Sequence, residues 1–287
     1  MMFIDGYCML IYYIPNKLET KMSDLIENSE FGAFCEKIWK DWIVQGKDAF
    51  TNHTDEHSFQ LDFAPEPYLM FGEDGDDLDA LYVLTTNPGG AIPVQAHDYI
   101  LHGKSVISSQ MPYSMVSRKF AEFYLNDSAI NSNAKKRIDK ILRLANMIGK
   151  SRVIQIESCP FHSPDFPAKS HFIKTTQDND FYKEYNKKLK SFLSDKVVLI
   201  VSAASSQKSL SLESISNSTW LKWQANLISF DLQNSDFIKI VEKEGKTTSG
   251  LAISHHGDDK KSIFLTMGSN NLPSSDGLKT LAEHMKY

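Results

Sequence analysis

The sequence predicts an α/β fold: a mostly parallel sheet with helices on both faces, a three-layer α/β/α sandwich. Three observations predict it. Four short apolar runs (80–86, 152–156, 196–201 and 262–266) are nearly continuous, as strands covered on both faces must be. Helical patterns separate them. Polar clusters follow three of the four runs, where an open α/β sheet builds its site.

The elements follow in order. Residues 7–14 read as a short strand or buried apolar segment. Over 22–46, Leu25, Phe31, Phe34, Ile38, Trp39 and Trp42 recur at the spacing of an amphipathic helix. Residues 50–66 read as a loop and 66–71 as a short extended piece before the acidic turn at 73–79. Ala80 to Thr86 is the first main strand, stopped by Asn87-Pro88-Gly89-Gly90, and a loop runs on to 112. Helices are expected at 114–125 and 133–148, the second placing Ile138, Ile141, Leu142, Leu144 and Ala145 opposite a basic face. The second strand ends at Glu157-Ser158-Cys159-Pro160, and a polar loop reaches 179. A lysine-rich helix (180–194), the third strand, a helix (217–227) and a weak hairpin (237–241 with 251–254) come next. The last main strand ends at Ser269-Asn270-Asn271-Leu272-Pro273, and a helix over 277–284 closes the chain.

The 287 residues are 41% hydrophobic and 23% charged, which excludes disorder as the main state. Cys8, Cys35 and Cys159 are far apart and form no CxxC pair, so neither a disulfide framework nor a structural zinc is expected. No apolar run reaches 18 residues, and no basic segment precedes the N-terminal apolar stretch. These features predict a cytoplasmic protein with no membrane span. The net charge of −5 divides unevenly. Residues 1–80 hold 5 Lys/Arg and 17 Asp/Glu, a net of −12; the remainder is +7 and can face a polyanion. Lys135, Lys136, Arg137, Lys140 and Arg143 on one helix, and Lys183, Lys187, Lys188 and Lys190 on another, are candidate phosphate contacts or solvated faces.

Several chemistries lack their motif. There is no GxxxxGK[ST], no GxGxxG after the first main strand, no GxSxG elbow and no zinc-deaminase signature. His255 and His256, adjacent in an extended segment, point to opposite faces, so no metal site is assigned. No cofactor is expected.

The three strand-end clusters, in this order, resemble the uracil-DNA glycosylase superfamily. Asn87-Pro88-Gly89 is similar to the first motif of its mismatch-specific and single-strand-selective branches. Pro65-Glu66-Pro67-Tyr68-Leu69 resembles a stretch found upstream in uncharacterised members. Glu157 stands where the second motif has Asn, and Cys159-Pro160 match. Ser269-Asn270-Asn271-Leu272-Pro273 is a reduced form of the last motif. The resemblance covers roughly 65–280 and implies a four-stranded, mostly parallel sheet between helices, with 1–64 as an N-terminal helical extension and 65–287 as the glycosylase-like domain.

The resemblance implies hydrolysis of the N-glycosidic bond of a flipped base, leaving an abasic site. Asn87 would hold the attacking water, and Asn270 or Asn271 would stabilise the base anion or grip a phosphate. Leu272 would fill the hole left in the duplex, flanked by DNA contacts from Pro88 and Ser269. Tyr99, Tyr113 and Phe161 are candidates for stacking on the base. Two departures bear on the substrate. Gly89, followed by Gly90, stands where strict uracil enzymes place a Tyr that closes over C5, so a C5 substituent fits. Glu157, acceptor-only when ionised, suits the exocyclic amine of cytosine, and when protonated it can donate to N3. Both point to a C5-modified cytosine, such as hydroxymethylcytosine or its glucosylated forms in phage DNA, in single- or double-stranded DNA, recognised by a monomer. The alternatives are a module that binds modified DNA without cleaving it, a conventional uracil or mismatch glycosylase, and an unrelated small-molecule α/β enzyme.

Overall fold

The computed structural model describes residues 25–54, 58–72, 79–86, 88, 111–126, 132–163, 166–203, 210–241, 247–255, 260–267 and 272–286. Helices pack around a mixed β-sheet. In chain order the elements are α1 (Glu30–Gln45), β1 (Tyr68–Gly72), β2 (Ala80–Thr85), α2 (Tyr113–Asn126), α3 (Ser132–Met147) and β3 (Arg152–Glu157). Then follow α4 (Lys169–Asp178), α5 (Asp180–Leu193), β4 (Val198–Ala203), α6 (Leu212–Ser216) and α7 (Thr219–Leu227). The chain ends with β5 (Ser235–Val241), β6 (Thr247–Ser254), β7 (Lys261–Thr266) and α8 (Ser275–Met285).

Among the described residues the sheet has seven strands, in the order β1-β3-β2-β4-β7-β6-β5. This corrects the expected four. The four apolar runs form β3, β2, β4 and β7, which are parallel to one another. The extended piece before the acidic turn is an added strand: β1 pairs antiparallel with β3. At the other edge β6 pairs antiparallel with β7, and β5 with β6. The hairpin is longer than its apolar residues suggest because polar Thr247 and Ser249 and small Gly250 also enter the ladder. The polar stretch before 179 also contains a helix, α4, whose buried face is only Phe172, Ile173 and Thr176.

The order positions the site. The chain lays β3 on one side of β2 and β4 on the other, so the strand order reverses at β2. In open α/β sheets the crevice at such a reversal, at the strand carboxyl ends, is where ligands bind. Residues paired in a parallel register share a face. Tyr82 and Ile154 share one face, where the Tyr82 ring meets Phe192 of α5 edge-on at 5.5 Å. Thr85 and Glu157 share the opposite face.

The helices are specified locally. Ser29 caps α1, its Oγ accepting from the Gly32 N–H at 2.9 Å and donating to the Ile26 carbonyl at 2.7 Å. Gly46 ends α1 at φ +63°, a conformation that glycine adopts without strain. Phe31 and Phe34 of α1 pack on Tyr185 of α5. At the amino end of β7, the buried Lys261 ammonium donates to the Leu193 carbonyl at 2.7 Å and to that of Lys196, closing the carboxyl end of α5.

Candidate active site at the strand ends

β2 and β3 carry the site, and their pairing continues past the last sheet residues. The Ser158 N–H donates to the Thr85 carbonyl and the Cys159 N–H to that of Thr86, each at 3.0 Å. The Ser158 hydroxyl donates to the same Thr85 carbonyl at 2.6 Å. From α7, the buried Gln224 amide reaches Thr85 O at 3.5 Å and Ser158 Oγ at 3.4 Å. These bonds hold the exit of β2, from which partly exposed Pro88 follows.

Glu157, the last residue of β3, is 1% exposed. The Gln155 amide donates to its Oε1 at 2.7 Å and the Thr85 hydroxyl lies 2.5 Å from its Oε2. Burial pushes its carboxyl from the ordinary 4.5 up to about 7; the bonds from Thr85 and Gln155 and the Arg137 guanidinium oppose that rise, and the Glu66 carboxylate adds to it. Neutral and ionised forms therefore coexist near neutral pH, which suits either an acceptor or a donor.

A second carboxylate is buried beside it. Glu66 is 1% exposed, its N–H donates to the Pro160 carbonyl at 2.8 Å, and its Oε2 accepts from the Tyr124 hydroxyl at 3.1 Å. His162 Nε2 lies 3.5 Å from Glu66 Oε1, and among the described residues neither ring nitrogen of this fully buried histidine has a hydrogen-bond partner. The Glu157 N–H donates to the Pro67 carbonyl at 3.0 Å, which holds the two acidic segments together. Arg137 of α3 acts electrostatically on both Glu157 and Tyr124, and among the described residues its buried Nε has no hydrogen-bond partner. Buried charge and incompletely satisfied polar groups of this kind concentrate at functional sites.

The sequence-predicted residues are distributed unevenly. Asn87, Gly89, Gly90, Tyr99, Ser269, Asn270 and Asn271 lie outside the described residues. Tyr113 does not face a base. It is fully buried, its hydroxyl donates to the Tyr68 carbonyl at 3.0 Å, and its ring packs on Tyr68 and Trp39. Phe161 is likewise a core residue, packed on Phe50 and Phe181. Leu272 is 2% exposed and so is not a protruding wedge, and its carbonyl accepts from Lys140 Nζ at 2.8 Å. Cys159 is buried, which pushes its thiol up to about 12 and leaves it un-ionised rather than nucleophilic.

The basic helix divides. Lys135, Lys136 and Arg143 are exposed, whereas Arg137 acts electrostatically on the buried Glu157 and Lys140 donates to the Leu272 carbonyl ahead of α8. Three open grooves lie along α5 and contain no strand residue. Among the described residues no cluster of His, Cys, Asp and Glu suits a metal ion, and no helix is long and apolar enough to cross a membrane.

Glu66, Arg137, His162 and Thr85 form one cluster with Glu157 that no sequence motif marks. The signal for Arg137 was helical spacing: it precedes Ile141 and Leu144 on the buried stripe of α3. Compared with known proteins, the chain matches no family model, and no curated protein or solved structure is significantly similar to it.

Proposed function

We propose that the chain is a monofunctional DNA glycosylase that hydrolyses the N-glycosidic bond of a C5-modified cytosine and leaves an abasic site. The observation that carries this reading is Glu157: a buried carboxyl at the carboxyl end of β3, poised between its two protonation states beside the point where the strand order reverses. Its carboxyl is enclosed, and its state reaches the strand ends through the Thr85 hydroxyl 2.5 Å away: ionised, it takes the Thr85 proton and leaves Thr85 Oγ an acceptor; neutral, it frees that proton for donation. Uracil presents a carbonyl where cytosine presents the amine, so an acceptor at the strand ends favours cytosine.

The parallel run of β3, β2, β4 and β7 is compatible with the reading, although β1, β5 and β6 extend the sheet beyond the four strands that the resemblance to the uracil-DNA glycosylase superfamily implies. The placement of Asn87-Pro88-Gly89 in the sequence, separated from the end of β2 by one residue, supports the reading. Glucosylated hydroxymethylcytosine of phage DNA is the proposed natural substrate, and its removal from an invading genome the proposed role. The test is mass spectrometry of bases released from DNAs carrying hydroxymethylcytosine, its glucosylated forms, thymine mismatches or uracil. Release of the cytosine derivative is expected.

A module that binds modified DNA without cleaving it is the second reading. It is favoured by the enclosure of Glu157 and by an Asn rather than an acidic residue at position 87. Binding with no alkali-labile sites across the whole panel is its signature.

A further inference from the structure

Glu157 is too enclosed to meet a nucleotide directly, but Thr85 is not. Thr85 ends β2, is partly exposed, and has its hydroxyl 2.5 Å from Glu157 Oε2. That hydroxyl has one proton and two acceptors within reach, Glu157 Oε2 and the Ile156 carbonyl at 3.1 Å. When Glu157 is ionised, the proton points at the carboxylate. When Glu157 is neutral, its own O–H donates to Thr85 Oγ, and the Thr85 proton is released to another acceptor. The pair is therefore a two-state switch whose outer member lies at the strand ends.

We propose that Thr85 is a catalytic residue that relays the Glu157 proton to the departing base, an inference that rests on the glycosylase reading. The C1′–N1 bond breaks with its electron pair going to the base. The Thr85 proton passes to the base ring, and the Glu157 proton passes to Thr85 Oγ. Water adds its oxygen to C1′ and gives up one proton, which restores neutral Glu157. Atoms and charge balance without a metal or redox partner. The device suits cytosine, a poorer leaving group than uracil and more in need of a proton.

The surroundings of Glu157 fit such a role. Arg137 of α3 favours its ionised form, whereas Glu66, ahead of β1, favours the neutral one. The hydroxyl of Tyr124 of α2 is held by Glu66. From α5, the Tyr185 hydroxyl donates to the Glu157 backbone carbonyl at 2.7 Å, leaving the carboxyl to Thr85 and Gln155. The Cys159 thiol is un-ionised and adds no charge. Of these groups, Thr85 is the partly exposed residue that bonds the carboxyl at the strand ends.

The test uses Thr85→Val, which keeps the shape and removes the hydroxyl, and Thr85→Ser, which keeps the hydroxyl. Base release by the wild type is expected to fall as pH rises through about 7, as the Glu157 proton is lost. Thr85→Val should be slower by roughly 100-fold or more and lose that pH dependence, and Thr85→Ser should recover both. Carbon-13 NMR of the Glu157 carboxyl provides a second readout that needs no activity. Its midpoint should rise in Thr85→Val, because the donor to the ionised form is gone, and return in Thr85→Ser. Wild-type rate and pH profile in Thr85→Val, or an unmoved Glu157 midpoint, would overturn the relay. Absence of base release by the wild type would instead count against the glycosylase reading, and the carboxyl titration would still decide whether Thr85 and Glu157 share a proton.

Discussion

Thr85 and Glu157 are paired residues in the parallel register of β2 and β3, and the Thr85 hydroxyl lies 2.5 Å from the Glu157 carboxylate. Register alone brings them together. A slip of one residue in either strand would turn one of them to the opposite face and leave a buried carboxyl without its donor. The reversal of strand order at β2 places the same pair beside the expected crevice.

Burial of Glu157 makes stability depend on pH. Its carboxyl is raised from 4.5 to about 7 in the folded protein. Between these values the folded state keeps a proton that the unfolded state has released, so stability falls as pH rises through this window and levels off above it. A shift of this size corresponds to a loss on the order of 3 kcal/mol. Urea midpoints at pH 5 and pH 8 check this: the wild type should lose more stability between the two than Glu157→Gln does.

Leu272 is expected to behave as a core residue. Leu272→Ala should cost about 2–5 kcal/mol, the range for buried leucines. Thermal unfolding reads this. A protruding wedge would instead leave stability unchanged and weaken DNA binding alone.

Lys261 is expected to matter through α5. Lys261→Met leaves the carbonyls of Leu193 and Lys196 without their ammonium partner, at a cost of about 1–3 kcal/mol. Exposed Lys279→Met is the control and should unfold like the wild type.

Gly32 has no room for a side chain. A Cβ there would stand 1.7 Å from the Ile26 carbonyl oxygen, which Ser29 also grips. Gly32→Ala should push the 26–28 turn off α1 and destabilise by about 1–3 kcal/mol, measurable as a lower urea midpoint.

The sequence showed the four parallel strands because strands covered on both faces read as apolar runs, as Leu81, Val83, Ile154 and Leu199 do. It showed less where burial is partial. In α4 only Phe172, Ile173 and Thr176 turn inward, and Ala168 offers no side-chain cap, so the segment read as a loop. β1 is five residues long and lies between Pro67 and the acidic turn, which concealed a sheet edge. Glu157 was legible as a departure from a motif. Its neighbours were not, because Glu66, Arg137 and His162 come together only through folding: Glu66 and His162 flank separate strands, and Arg137 lies within a run of lysines.

The most direct test of the central claim compares base release from two DNAs that differ only at one position, glucosylated hydroxymethylcytosine in one and uracil in the other. Mass spectrometry of the freed bases and alkali cleavage of the strands report the outcome. The account predicts free modified cytosine and alkali-labile sites from the first DNA, little from the second, and loss of both signals in Asn87→Ala and Glu157→Gln. Equal or faster release of uracil, or no base from either DNA, would contradict it.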